Sequence, residues 1–88
     1  MTTEPTPPPL VLDVSGYRCP MPVIRMEACL RRLPPGARLL VRADDPIAAI
    51  DIPHFCHQAG HLAVRQADEA SQAGPICVFM VTRGSNPA

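Results

Sequence analysis

The run Gly16-Tyr17-Arg18-Cys19-Pro20-Met21-Pro22 places a cysteine at the mouth of the first predicted helix. Unpaired backbone N–H groups and the positive end of the helix dipole converge at such a point. A thiol held there is expected to have a lowered pKa and to act as a nucleophile at neutral pH. Pro20 and Pro22 flank its first turn, where a missing N–H costs little. Met21 and Val23 keep their N–H groups and can aim them at an anionic sulfur, while Arg18 adds a neighbouring positive charge that favours thiolate. Gly16 is placed to supply a positive φ angle in the preceding turn. Cys19 is therefore the candidate catalytic residue, with Gly16, Arg18, Pro20 and Pro22 shaping its turn.

The other reactive side chains are less pointed. Cys29, in the small and apolar stretch of the first helix, and Cys77, in an apolar strand, read as core packing. Cys56 also reads as buried. The four cysteines contain no C-x-x-C pair, so neither a zinc knuckle nor a redox dithiol is suggested. His54, His57 and His61 fall at i, i+3 and i+7. A metal site beside Cys56 is one reading and a solvated polar face is the other. Gly60 interrupts the helix before His61, so the polar face is adopted and no metal is assigned. Asp13 reads as a brace for the Gly16 turn, against a charged strand end or a group near the thiol, because a second anion beside Cys19 would oppose thiolate formation. Asp44 and Asp45 read as helix caps and not as paired catalytic carboxylates. Arg18, Arg25, Arg31 and Arg32 read either as a basic strip near the active turn, with Arg25 and Arg31 the candidate docking residues for an acidic partner, or as an ordinary solvated face.

These residues need a scaffold, and 88 residues allow one domain. Leu10 to Val14 is a β-rich run, predicted as a strand of buried type. A helix follows from near Pro20 to about Leu33, with Val23, Met26, Leu30 and Leu33 on one face. Pro34-Pro35-Gly36 stops it. Arg38 to Ala43 is a second strand. A second helix covers roughly residues 46 to 59; Pro53 is a defect, and an irregular first turn restarting with Asp51 as a second cap is expected. Gly60 ends it. Leu62-Ala63-Val64 lies in a third strand, Asp68 to Pro75 in a polar loop, and Ile76 to Val81 in a fourth strand. The order β-α-β-α-β-β gives an α/β chain, specifically an α+β two-layer sandwich: a four-stranded mixed sheet with two helices on one face. The last two strands favour an antiparallel hairpin. Residues 1–9 read as a disordered proline-rich tail, 10–84 as the single domain and 85–88 as a loose tail.

Eight basic and eight acidic residues give a formal net charge of zero, which removes the simplest electrostatic case for binding nucleic acid or an anionic membrane. All the basic residues are arginines, so lysine Schiff-base chemistry is excluded. No apolar run approaches the ~20 residues that span a bilayer. Residues 1–9 have no signal-peptide apolar core, so a cytoplasmic location with reduced thiols is expected. No surplus apolar stripe is evident, and a monomer is expected.

Leu12-Asp13-Val14-Ser15-Gly16-Tyr17-Arg18-Cys19-Pro20-Met21-Pro22 resembles the leading motif of the TusA/SirA-like sulfur-carrier (sulfurtransferase) family, L-D-x-x-G-x-x-C-P-x-P. Leu33-Pro34-Pro35-Gly36 resembles its exit from the first helix. Asp44-Asp45-Pro46 with Asp51-Ile52-Pro53-His54-Phe55-Cys56 resembles its second-helix signature, and the match of Cys56 to a cysteine of some family members implies a resolving or second-carrier role as the alternative to its burial. The likeness covers about residues 10–83. It implies a sheet with the fourth strand between the second and third. It implies a protein that accepts sulfane sulfur as a persulfide on Cys19, in the turn shaped by Pro20 and Pro22, and hands it on. The family serves transfer-RNA thiolation, molybdenum-cofactor and sulfur-oxidation routes. The partners so implied are a sulfur-donor protein, such as a cysteine desulfurase or rhodanese-like protein, and a sulfur-acceptor protein, with no direct nucleic-acid or membrane contact and no cofactor beyond the persulfide. Family members often carry lysines on the first two helices for docking, and the basic residues of this chain are all arginines. A non-catalytic regulatory or interaction module of the same fold is the alternative.

Overall fold

The computed structural model describes residues 8–85. The tails predicted at 1–9 and 85–88 therefore lie outside the described residues, apart from Pro8, Pro9 and Ser85. The elements are β1 (Leu10–Asp13), α1 (Met21–Arg31), β2 (Arg38–Ala43), α2 (Ala48–Ala59), β3 (Leu62–Arg65) and β4 (Cys77–Thr82). The strands form one sheet in the order β1-β2-β4-β3. β1 runs parallel to β2, and β4 runs antiparallel to both β2 and β3. This is the four-stranded mixed sheet expected, with the last strand inserted between the second and third.

Alternation along β2 sets the two layers. Leu39, Val41 and Ala43 are buried, whereas Leu40 and Arg42 are half-buried. Register pairs the buried three with Val81, Phe79 and Cys77 of β4. Both helices lie on that face. α1 contributes Met26 and Leu30 and α2 contributes Ala48, Ile52 and Cys56, residues spaced four apart so that each helix offers one stripe. Val23 and Leu33 pack against this core from its edge. Burying one Leu or Met side chain stabilises the fold by about 1.5–3 kcal/mol.

The helix ends have local causes. α1 finishes at Arg31, two residues before the predicted limit, and Gly36 turns the chain at φ 85°. Arg83, from the end of β4, donates from Nε to the Leu30 carbonyl at 2.9 Å, placing a cation at the negative end of α1. Gly60 ends α2 in the left-handed region at φ 83°, as its position predicts. α2 differs from expectation at its start. It runs unbroken from Ala48 through Pro53, and Asp51 is not a second cap. The Asp51 N–H bonds the Ile47 carbonyl as ordinary helix backbone. Pro53 is tolerated in the second turn, where packing of Ile52 and Cys56 outweighs one missing backbone bond.

Two further expectations are corrected. β1 is an edge strand, and Leu10 and Val11 are exposed; its apolar run does not mark a buried strand. The outer face of the sheet also carries an apolar stripe, with Val11, Leu62 and Val64 exposed, that a search of helix periodicity does not reveal.

Candidate active site

The site is the loop joining β1 to α1, and its shape comes from hydrogen bonds to the segment joining β2 to α2. Val14 extends the strand by donating its N–H to the Arg42 carbonyl at 2.8 Å. Tyr17 N–H returns to the Val14 carbonyl at 3.2 Å and closes a turn over Ser15 and Gly16. Gly16 sits at φ 88°, the left-handed value such a turn demands at its third residue. Asp13 braces this turn: its Oδ1 accepts the Ser15 N–H at 2.9 Å and also the Ser15 hydroxyl. Its Oδ2 pairs with Arg42 at 2.8 Å. The Ser15 bonds first, with Arg42 adding to them, hold the Asp13 carboxyl below its ordinary pKa.

The two aspartates after β2 do more than cap. Asp44 Oδ1 accepts the Gly16 N–H at 2.9 Å and Arg18 Nη1 at 3.0 Å, which together lower its pKa, the Gly16 bond most. Asp45 is only 4% exposed, and it is satisfied on both oxygens. Oδ1 accepts the Ile47 N–H at 3.1 Å as a local cap, and Oδ2 accepts the Cys19 N–H at 2.7 Å. Adjacent carboxylates thus fasten both ends of the Gly16–Cys19 loop to the start of α2.

Cys19 is exposed, and the peptide between it and Pro20 is cis. Pro20 precedes the first residue of α1 and Pro22 is its buried second residue, so both prolines occupy positions that need no donor. The predicted electrostatics of the thiol are overturned. Met21 N–H bonds the Arg18 carbonyl at 2.9 Å and is not offered to the sulfur. The Arg18 guanidinium turns to Asp44. Cys19 Sγ instead donates to Asp51 Oδ2 at 3.1 Å. That bond first, then loss of water and the charges of Asp51 and Asp45, raises the thiol above its ordinary value of 9.0. The anion beside the sulfur, which the reading of Asp13 set out to avoid, comes from α2.

The remaining thiols are held in the core. Cys56 is fully buried, and loss of water pushes it up to about 11. Cys77 is buried and raised for the same reason, and Cys29 packs half-buried against the core. His54 and His57 are exposed, but His61 is buried and does not belong to a solvated face. Among the described residues, no three His, Cys, Asp or Glu side chains gather as metal ligands. Arg25 lies on the α1 surface with its guanidinium 4.2 Å from the centre of the Tyr17 ring, and Arg31 pairs with Glu27 at 3.6 Å. A groove of about 220 Å³ opens beside Pro20, between Val23 and Ile24 of α1 and Asp51, His54 and Phe55 of α2. Asp51 is the site residue missed by local reasoning. Its signal lay in the Asp51-Ile52-Pro53 run, quoted above as part of a motif but given only a capping role.

The site is thus one exposed cysteine at the head of a helix on a small two-layer α+β domain. The chain belongs to the family described as Sulfurtransferase TusA, whose profile matches residues 10–82. The sulfur carrier protein TusA of Pseudomonas putida (strain W619) is 41% identical over 63 residues, covering 72% of this chain and 79% of that protein. Its counterpart in Pseudomonas aeruginosa (strain LESB58) is 45% identical over 60 residues, covering 68% and 76%. The crystal structure of a SirA-like protein from Desulfitobacterium hafniense superposes with a TM-score of 0.66 at 26% identity, covering 82% of this chain and 95% of that one. No helix among the described residues is long and apolar enough to cross a membrane.

Proposed function

We propose that Cys19 accepts sulfane sulfur as a persulfide and passes it to a protein partner. One observation carries this reading: Cys19 is the exposed member of the four cysteines, on a loop pinned by Asp44 and Asp45, while Cys56 and Cys77 are buried and Cys29 is half-buried. A relay needs a sulfur that a second protein can reach and a backbone that does not give way when it is reached. The shallow groove at Pro20 suits a docking protein better than an enclosed small substrate.

The donor is a persulfide-bearing protein of the cysteine desulfurase or rhodanese-like kind, and the acceptor is a second protein on a thiolation, molybdenum-cofactor or sulfur-oxidation route in the cytoplasm. Gly16, Arg18, Pro20 and Pro22 set the loop. Arg25 and Arg31, on the exposed side of α1, offer positive charge to an acidic docking surface. The protein incubated with a persulfide donor gains one sulfur atom by mass, and Cys19→Ser abolishes the gain. A gain that survives Cys19→Ser ends the assignment to Cys19, and no gain in the unaltered chain puts the regulatory-module alternative in its place.

A further inference from the structure

The bond from Cys19 Sγ to Asp51 Oδ2, 3.1 Å long, is a feature that carrier chemistry does not need. A carboxylate bonded to a thiol keeps the proton on sulfur, whereas a nucleophile must lose it. The other charged groups near the sulfur do not relieve this. Arg18 faces Asp44 at 3.0 Å, and Arg25 faces the Tyr17 ring. Asp45, from the loop between β2 and α2, holds the Cys19 N–H and adds negative charge. His54 stands along α2 on the wall of the groove. Asp51 is itself half-buried, on a largely apolar groove rim with Pro20, Val23, Ile24 and Phe55, next to His54 and Gln58. A protein seated on that apolar rim would exclude water and strengthen any charge pair formed with the carboxylate.

We propose that Asp51 is a charge gate on Cys19: it keeps the sulfur protonated in the free protein, and a basic side chain of the docked sulfur donor pairs with it and releases the thiolate inside the complex. The inference rests on the reading of Cys19 as the sulfur-bearing residue. In the transfer, the proton leaves Sγ to a solvent base. The freed electron pair forms a bond to the terminal sulfur of the donor persulfide. The bond between that sulfur and the donor cysteine breaks, its electron pair stays on the donor cysteine, and that thiolate takes up a proton. One sulfur atom changes protein, and no oxidant or reductant is consumed. When the donor departs, the anionic persulfide again faces the Asp51 charge, which favours its onward delivery.

The test uses the intact chain and three small disulfides: cationic cystamine, neutral hydroxyethyl disulfide and anionic dithiodiglycolate. Modification of Cys19 is followed by mass, with each rate normalised to that of free cysteine. At low salt, Cys19 is expected to prefer the cationic probe over the anionic one by about tenfold, and salt should compress that preference. Asp51→Asn should shrink the preference and speed the neutral probe severalfold, since a lower thiol pKa raises the thiolate fraction by more than it weakens that thiolate as a nucleophile. Asp51→Ser should behave likewise, and the salt comparison on the unaltered chain needs no variant to fold. Equal rates for all probes, or a slower neutral reaction in Asp51→Asn, overturn the gate. Sulfur loading in the same samples separates the two ideas. Loading without charge preference removes only the gate, whereas charge preference without loading removes the carrier role of Cys19.

Discussion

The Cys19 N–H and Asp45 Oδ2 are joined at 2.7 Å across 26 residues of sequence. The same carboxylate caps Ile47 through its other oxygen, so one buried side chain sets both the Cys19 loop and the start of α2. Asp45→Ala leaves the Cys19 and Ile47 N–H groups without their acceptor. The expected loss is about 1–3 kcal/mol. For a domain of this size that lowers the melting temperature by roughly 4–8 °C per kcal/mol. Thermal unfolding followed by circular dichroism checks this, and an unchanged melting curve would show that water replaces the carboxylate freely. Asp45→Asn, which keeps one acceptor oxygen, should fall between the two.

Local chemistry made most of the scaffold legible and left most of the site's wiring hidden. The bounds of β2 follow from its own residues, and Gly60 marks the end of α2 because few other residues accept its backbone angle. The positive φ of Gly16 and the exposure of Cys19 follow the same way, from turn and helix-start chemistry within seven residues of chain. The partners of that loop do not follow from it. Asp44, Asp45 and Asp51 lie 26 to 32 residues further along, and which backbone or sulfur they meet depends on how the heads of two helices converge on the sheet. A sequence reading assigns an aspartate near a helix start to capping because that is the local use. Here the long-range use prevails, and it reverses the expected direction of the Cys19 pKa. The exposure of β1 was missed for a related reason: a strand's place in the sheet is decided by topology and not by its own composition.

Leu30 anchors α1 to the sheet with no exposed surface, and Arg83 reaches its carbonyl from the far end of β4. Leu30→Ala leaves the backbone bond but opens a cavity among Met26 and the β2 and β4 side chains. The expected destabilisation is about 2–5 kcal/mol, a large share of the roughly 5–15 kcal/mol of a typical domain. Urea unfolding should show a lower midpoint with an unchanged slope. A shift well under 1 kcal/mol would mean that the helix collapses onto the gap.

His61 carries a pH dependence whose sign follows from its burial. Its Nδ1 accepts the Gly84 N–H at 2.9 Å, and loss of water first, then the charge of Arg83, holds its pKa below the ordinary 6.5. Above that value both folded and unfolded chains carry a neutral ring, and the contribution to stability is complete. As pH falls through 6.5 the unfolded chain takes up a proton that the folded chain refuses, so stability declines. The decline ends once pH passes the depressed folded-state pKa, where the Gly84 contact is lost. Asp13 and Asp44, also depressed, act in a separate window below their ordinary 3.8. His61→Gln keeps an acceptor for Gly84 and removes the titration. Its urea midpoint should be flat between about pH 7 and about pH 5, where the unaltered chain weakens. Parallel curves for the two proteins would remove His61 as the cause.

Exposure, and not acidity, separates Cys19 from the other thiols, and that makes an ordered labelling experiment informative. Cys19 and Cys56 are both raised in pKa, Cys19 by its bond to Asp51 and Cys56 to about 11 by loss of water. At neutral pH a thiol with the Cys56 value is thiolate to only about one part in ten thousand. It is also unreachable until α2 lifts from the sheet. Iodoacetamide should therefore label Cys19 first and Cys29 more slowly, with Cys56 and Cys77 protected until the domain opens. The rate at Cys56 then reports the opening free energy of the core and should rise in Leu30→Ala in step with its lost stability. Labelling of Cys56 as fast as Cys19 in the folded chain would mean that α2 opens locally, and Cys56 would become a second accessible sulfur site.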